Sequence, residues 1–149
     1  MDAAMMEGLA RMGAAAALGF AAIGSGLGAC AAGMAAVGGW KKCYVQKKAA
    51  PFILVVFVGA PLSQTIYGMI LMNAIKNSAS FVNWPAMLMA GILGGIALGA
   101  SAWLQGKAGA SCADAMAETN QGFGNYLMTI GMVETVALFV MVFIQGALK

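Results

Sequence analysis

The chain has 149 residues, of which 62% are hydrophobic and only 9% charged, with 21 Gly and 13 Met. A soluble globular domain carries about 25% charged residues, so this composition excludes one. The net charge of +3 sits outside the long apolar stretches; it names no partner and gives no sign of nucleic-acid binding.

Three uncharged runs, Met12–Trp40, Ala49–Ile75 and Asn77–Gly106, precede a fourth, Thr119–Leu148, which is interrupted by Glu134 alone. Each exceeds the ~20 residues that cross a bilayer as a helix. They predict an all-α membrane protein with four transmembrane helices in one integral membrane domain, residues 1–149. The N-terminal stretch is not expected to be a cleaved signal peptide: Asp2 and Glu7 offset Arg11, whereas a signal peptide opens with positive charge. Cys30, Cys43 and Cys112 show no metal-binding spacing. Cys30, inside the first run, is read as a small packing residue.

The first helix is predicted over Met12–Val37. Gly24, Gly28, Ala32 and Ala36 recur every fourth residue, and Ala17, Ala21, Ser25, Ala29 and Gly33 form a second small face. In lipid, helices associate through close backbone approach over small residues. Two such faces imply tight neighbours on both sides; ordinary packing in a four-helix monomer needs one. The loop Trp40–Lys48 carries Lys41, Lys42, Lys47 and Lys48. A loop beginning near Lys107 adds one more Lys, against Lys76, Arg11 and Lys149 on the other side. The positive-inside rule then puts loops one–two and three–four in the cytoplasm and both termini outside.

The second helix, Pro51–Ile75, has GAPLSQTIYG at its middle. Pro61 removes the amide that would bond the carbonyl of Phe57 and loosens that turn. Ala60, Ser63, Gln64 and Tyr67 share one face by their spacing. A hydroxyl, a carboxamide, a phenol and freed carbonyls are thus presented at mid-membrane depth. Ser63 alone would more simply bond a neighbouring helix; the whole cluster, opposite a lone Glu, is read as an ion site. Leu71 is expected to face lipid. Asn83 is a candidate N-cap for the third helix, with Pro85 in its first turn. Gly91, Gly95 and Gly99 repeat the four-spaced small face, followed by Ser101 and Gln105.

Glu134 lies mid-way along the fourth run. An ionisable group at the centre of a membrane helix costs roughly 2.5–3.5 kcal/mol to insert, so it reads as functional. IGSGLGACAAG aligns with ASAWLQGKAGA, and PLSQTIYGMIL with GMVETVALFVM, which sets Gln64 opposite Glu134. The chain therefore reads as two tandem helical hairpins, 12–75 without a carboxylate and 83–149 with one. Gln64 and Gln105 lie ~18 Å and ~30 Å along their helices from the connecting loop. For them to meet, that loop must climb about 12 Å, within reach of an extended chain.

A Gly-rich helix, a polar loop and a helix with one central carboxylate form a pattern that resembles the ring subunits of rotary ATPases. The doubled form is most similar to the proteolipid (K or c) subunit of V-type ATPases. PLSQTIYG, LQGKAGA and MVETVALF look like the corresponding segments of sodium-transporting bacterial members. The resemblance implies that the ion is held by Glu134, Gln105, Gln64, Ser63 and the backbone carbonyl of Ala60, with Tyr67 hydrogen-bonded to the Glu. It implies a homo-oligomeric ring in the cell membrane, surrounded by lipid. A stator protein with a membrane Arg would displace the ion, and a central stalk would sit at the cytoplasmic loops. ATP hydrolysis would lie on other chains, so this one is not expected to be an enzyme; no Gly-rich phosphate loop followed by Lys is present.

Hard cations take oxygen ligands. One carboxylate plus neutral oxygens from two carboxamides and a hydroxyl balances a monovalent cation. That is more than a proton requires, which favours Na+ over H+ alone. A small cation-coupled secondary transporter and a purely structural four-span protein are the rival classes. The first would carry its Glu in an aromatic-lined first helix, and here that run holds only Phe20 before Trp40. The second leaves Gln64, Gln105 and Glu134 unexplained.

Overall fold

The computed structural model describes residues 2–78 and 80–148. Lys149, counted above among the outer charges and closing the second hairpin, lies outside the described residues. Four helices follow in order: α1 (Ala3–Val45), α2 (Leu54–Lys76), α3 (Trp84–Thr119) and α4 (Phe123–Ala147). All four are long and apolar enough to cross a membrane, and the described residues contain no strand.

The helices outrun the boundaries expected from charge. α1 starts at Ala3 rather than Met12. The Asp2 carboxylate accepts the Met5 amide at 2.7 Å, and Glu7 accepts from Arg11 one turn on at 2.8 Å, as a capped first turn with an i,i+4 pair should. Its other end passes through Lys41 and Lys42 to Val45; the left-handed Lys47, φ 54°, follows just beyond it. At 43 residues, α1 is about 64 Å long, roughly twice the ~30 Å hydrocarbon thickness. Likewise, Lys107 opens no loop. It lies inside α3, its ammonium 5.1 Å from the Trp103 ring centre, and the third loop is only Asn120–Gly122, with φ 52° and 83° at its ends. A charge marks where a helix leaves the apolar layer. The backbone itself can run on, and neither WKKCYV nor the stretch from Lys107 to Thr119 contains a Pro to stop it.

α2 is interrupted by a 3-10 turn over Ala60–Leu62, centred on Pro61, where the ring denies the backbone its donor. Asn83 stands at the start of α3 but its side chain caps nothing. The turn is closed by backbone bonds instead, from the amide of Trp84 to the carbonyl of Phe81 and from Met87 to Asn83. Pro85 occupies the first turn as expected.

α1 and α3 run parallel with their backbones in contact. A methyl on Gly24 would fall on the backbone of Gly99, and one on Gly106 on that of Gly28. The four-spaced small residues of both helices are buried in this seam. In the groove between them α2 lays Leu54, Phe57, Pro61, Gln64, Gly68, Leu71 and Ile75, a stripe of three- and four-residue steps. Leu71 is therefore fully buried, against the expectation that it faces lipid; its side chain fills the space beside Gly94. Cys30 is exposed on the single chain rather than packed. α4 is the outermost helix, burying Ile130, Ala137 and Met141.

Two apolar clusters result. One gathers Ala10, Ala14, Leu71, Ile75, Met87 and Met141; the other gathers Ala36, Leu54, Phe57, Ala113 and Ile130. The buried polar side chains Ser25, Gln64, Ser101 and Gln105 occupy the sequence levels between them.

Candidate functional site

The kink in α2, the middle of α3 and the middle of α4 converge between the two apolar clusters. Gln64 and Gln105 are both fully buried. The Gln64 Nε2 donates to Gln105 Oε1 at 2.7 Å. The two carboxamides thus meet as the sequence required, and Phe81 and Trp84, beside the second loop, pack onto the cluster that holds Ile75.

Gln105 is the hub. Its Nε2 donates to Glu134 Oε2 at 3.2 Å and to the carbonyl of Ile130 at 3.1 Å. The other oxygen of Glu134 accepts the Tyr67 hydroxyl at 2.7 Å. Both carboxylate oxygens are therefore held, one from α2 and one from α3. Glu134 itself is half-buried, next to the outward-facing Met132, Val136 and Phe139. The carboxylate stands at the rim of the chain, with its neutral partners behind it.

Ser63 joins through Gln64: its hydroxyl lies 3.2 Å from Gln64 Oε1 and 3.0 Å from the Ala60 carbonyl, its single hydrogen shared between the two acceptors. That carbonyl also accepts the Ser63 amide in the 3-10 turn. Ala60 is thus a member of the polar chain, although its oxygen already has two donors. Of the six residues singled out in the sequence, Gln64, Gln105, Glu134 and Tyr67 form one continuous network. Ser63 and Ala60 reach it through Gln64 and not by direct contact with the carboxylate.

One contribution was not anticipated. Ser101, one turn before Gln105 on α3, donates to the Val133 carbonyl at 3.1 Å. With the Gln105 bond to Ile130, it fastens α3 to α4 at the two carbonyls that precede Glu134. The i,i+4 pair Ser101–Gln105 was visible in the sequence as a polar face; its acceptors, being backbone, were not. The carbonyl of Phe57, freed by Pro61, faces Gly109, where a Cβ would lie 3.0 Å away.

Chemically, the network offers one carboxylate and the neutral oxygens of Gln64, Gln105, Ser63 and Ala60. Among the described residues no group of three or more His, Cys, Asp or Glu comes together. The donor set therefore has the charge of a monovalent cation's site and lacks the carboxylates or thiolates of a divalent one.

Residues 88–144 match the sequence model of the ATP synthase C-subunit family. The matched stretch contains Ser101, Gln105 and Glu134 and leaves out α1 and α2. None of the curated proteins compared matches the chain.

Proposed function

We propose, from the premise that the hairpin holding residues 88–144 is that of the ATP synthase C-subunit family, a family of non-catalytic, ion-translocating proteolipids that assemble into rotor rings, that this chain is the doubled, V-type form of such a proteolipid and that its ring carries sodium. The observation that supports this reading best is the pair of fully buried carboxamides joined to a single half-buried carboxylate. A proton needs the carboxylate and one acceptor. Two carboxamides, a hydroxyl and a carbonyl supply the oxygen shell that a hard monovalent cation requires.

Loading such a site neutralises Glu134, which lowers the cost of carrying it through lipid. As the ring turns, each loaded site passes from one half-channel to the lipid and on to the other. The Arg of a stator protein displaces the cation between them. The basic end of α1, with Lys41, Lys42, Lys47 and Lys48, faces the cytoplasm and the central stalk, so both loops at that end are cytoplasmic. One carboxylate per four helices moves fewer ions per turn than one per hairpin. At a fixed number of ATP per turn each ion then receives more free energy, which suits a pump working against a steep gradient.

Carbodiimide labelling of Glu134 in the isolated ring tests the reading. The reagent attacks the protonated acid, so NaCl protects Glu134 and KCl protects far less. Protection weakens as pH falls, because protons and sodium compete for one carboxylate. Equal labelling with and without millimolar NaCl at every pH around neutrality makes the ring a proton carrier, with Ser63, Gln64 and Gln105 a hydrogen-bond cage around Glu134.

A further inference from the structure

Ser25 of α1 is 2% exposed, and its hydroxyl oxygen has no hydrogen-bond partner. Other helical hydroxyls in the chain close back on their own helix. Ser111, Thr119, Thr129 and Thr135 each donate to the carbonyl four residues earlier, the usual recourse of Ser and Thr inside a helix. Ser25 does not, so its hydroxyl is turned away from Ala21.

The packing of α1 on α2 shows what stands opposite. Gly68 lies against Ala17 and Ala21, where a Cβ would come within 2.6 Å of the Ala21 side chain, and Pro61 lies 2.9 Å from a Cβ built on Gly28. The two helices run antiparallel. Between those contacts, one turn from each, Ser25 and Gln64 stand level. Gln64 is fully buried and spends one amide hydrogen on Gln105. A carboxamide has two, and the second has no acceptor among the described residues. An unpartnered buried hydroxyl and a buried carboxamide with one amide hydrogen unspent thus stand at the same level of the α1–α2 seam, and buried polar groups in folded proteins are almost always paired.

We propose that a single water molecule held between Ser25 Oγ and the second Nε2 hydrogen of Gln64 links α1 to the cation site, and that Ser25 is a positioning residue for Gln64. Held from behind through its nitrogen, the Gln64 carboxamide keeps its oxygen turned to Ser63 and its other amide hydrogen on Gln105. This rests on the reading of the Gln64–Gln105–Glu134 chain as the cation site, but not on which cation fills it. Ser25 Oγ makes no direct hydrogen bond to Gln64, and a water bridging buried polar groups is an ordinary structural element.

The test uses the intact ring. A high-resolution cryo-EM map of the wild type, in NaCl and without sodium, is expected to show a density peak within hydrogen-bonding distance of both Ser25 Oγ and Gln64 Nε2, lost in Ser25→Ala. In the labelling assay Ser25→Ala is expected to raise the NaCl concentration for half-protection of Glu134 about fivefold or more, the scale of one lost hydrogen bond, while Ser25→Thr stays near the wild type. A wild-type map without that peak overturns the proposal, whether or not the Ala variant assembles. An unchanged half-protection in Ser25→Ala overturns the positioning role, and a raised thermal midpoint of the same ring identifies Ser25 as a hydroxyl that bonds nothing. If NaCl fails to protect wild-type Glu134, the sodium reading falls alone, because the density still decides the Ser25 link.

Discussion

Replacing Gln105 with Ala probes the site at its hub. Gln105 is fully buried and makes three hydrogen bonds: it accepts from Gln64 at 2.7 Å and donates to Ile130 and Glu134 at 3.1 and 3.2 Å. On the proposed reading its Oε1 is one of the cation's oxygens in the loaded ring, while its Nε2 still steadies the carboxylate. Truncation removes a ligand oxygen and a charge-assisted bond, together about 1.5–3 kcal/mol. Every 1.4 kcal/mol is tenfold, so the NaCl concentration that half-protects Glu134 from carbodiimide should rise about ten- to a hundredfold. The labelling itself should survive, since the acid is still present. The assay is mass spectrometry of labelled rings across a NaCl series, with KCl as control and native gels to show that the rings are whole. A Gln105→Ala ring with wild-type half-protection would refute the assignment of Gln105 as a ligand.

Glu134→Gln keeps the shape of the side chain and removes its charge, so reconstituted rotary complexes should assemble yet lose ATP-driven transport; normal ion flux would remove the central role given to this residue. Gly28→Leu and Gly95→Leu place bulk on backbone seams, where even a Cβ on Gly95 would lie 2.7 Å from the Ala16 carbonyl. Both should abolish ring assembly on native gels, while Val136→Leu, at a site 58% exposed, should assemble normally. Lys42 and Glu118 form an exposed ion pair at the ends of α1 and α3, and exposed pairs contribute little. Lys42→Ala should therefore leave the thermal midpoint of the ring unchanged; a clear drop would show that the pair is shielded in the assembly.

Four spans, the kink at Pro61, the polar face from Ala60 to Tyr67 and the isolation of Glu134 were all legible in the sequence. Each depends on one segment's own composition and period: the cost of inserting a charge, the missing amide of a proline, the 3.6-residue repeat. What the sequence misplaced were ends and outward faces. Lys41, Lys42 and Lys107 suggested loops, but the helices carry them on to Val45 and Thr119, close to the positive φ at Lys47 and Asn120; Lys47 and Lys48 do lie in the loop. Leu71 looked lipid-facing because Leu suits lipid as well as it suits a core, and only the groove between α1 and α3 made it buried. Ser25, Ser101 and the carbonyls of Ile130 and Val133 gained their significance in the same way. A hydroxyl's role is set by what stands opposite it, and the parallel seam of α1 and α3 determines that through contacts far apart in the chain. The sequence by itself thus named the groups that could hold a cation; tertiary packing alone decided that Gln105 holds Gln64 on one side and Glu134 on the other, because that junction exists only where three helices from both hairpins meet.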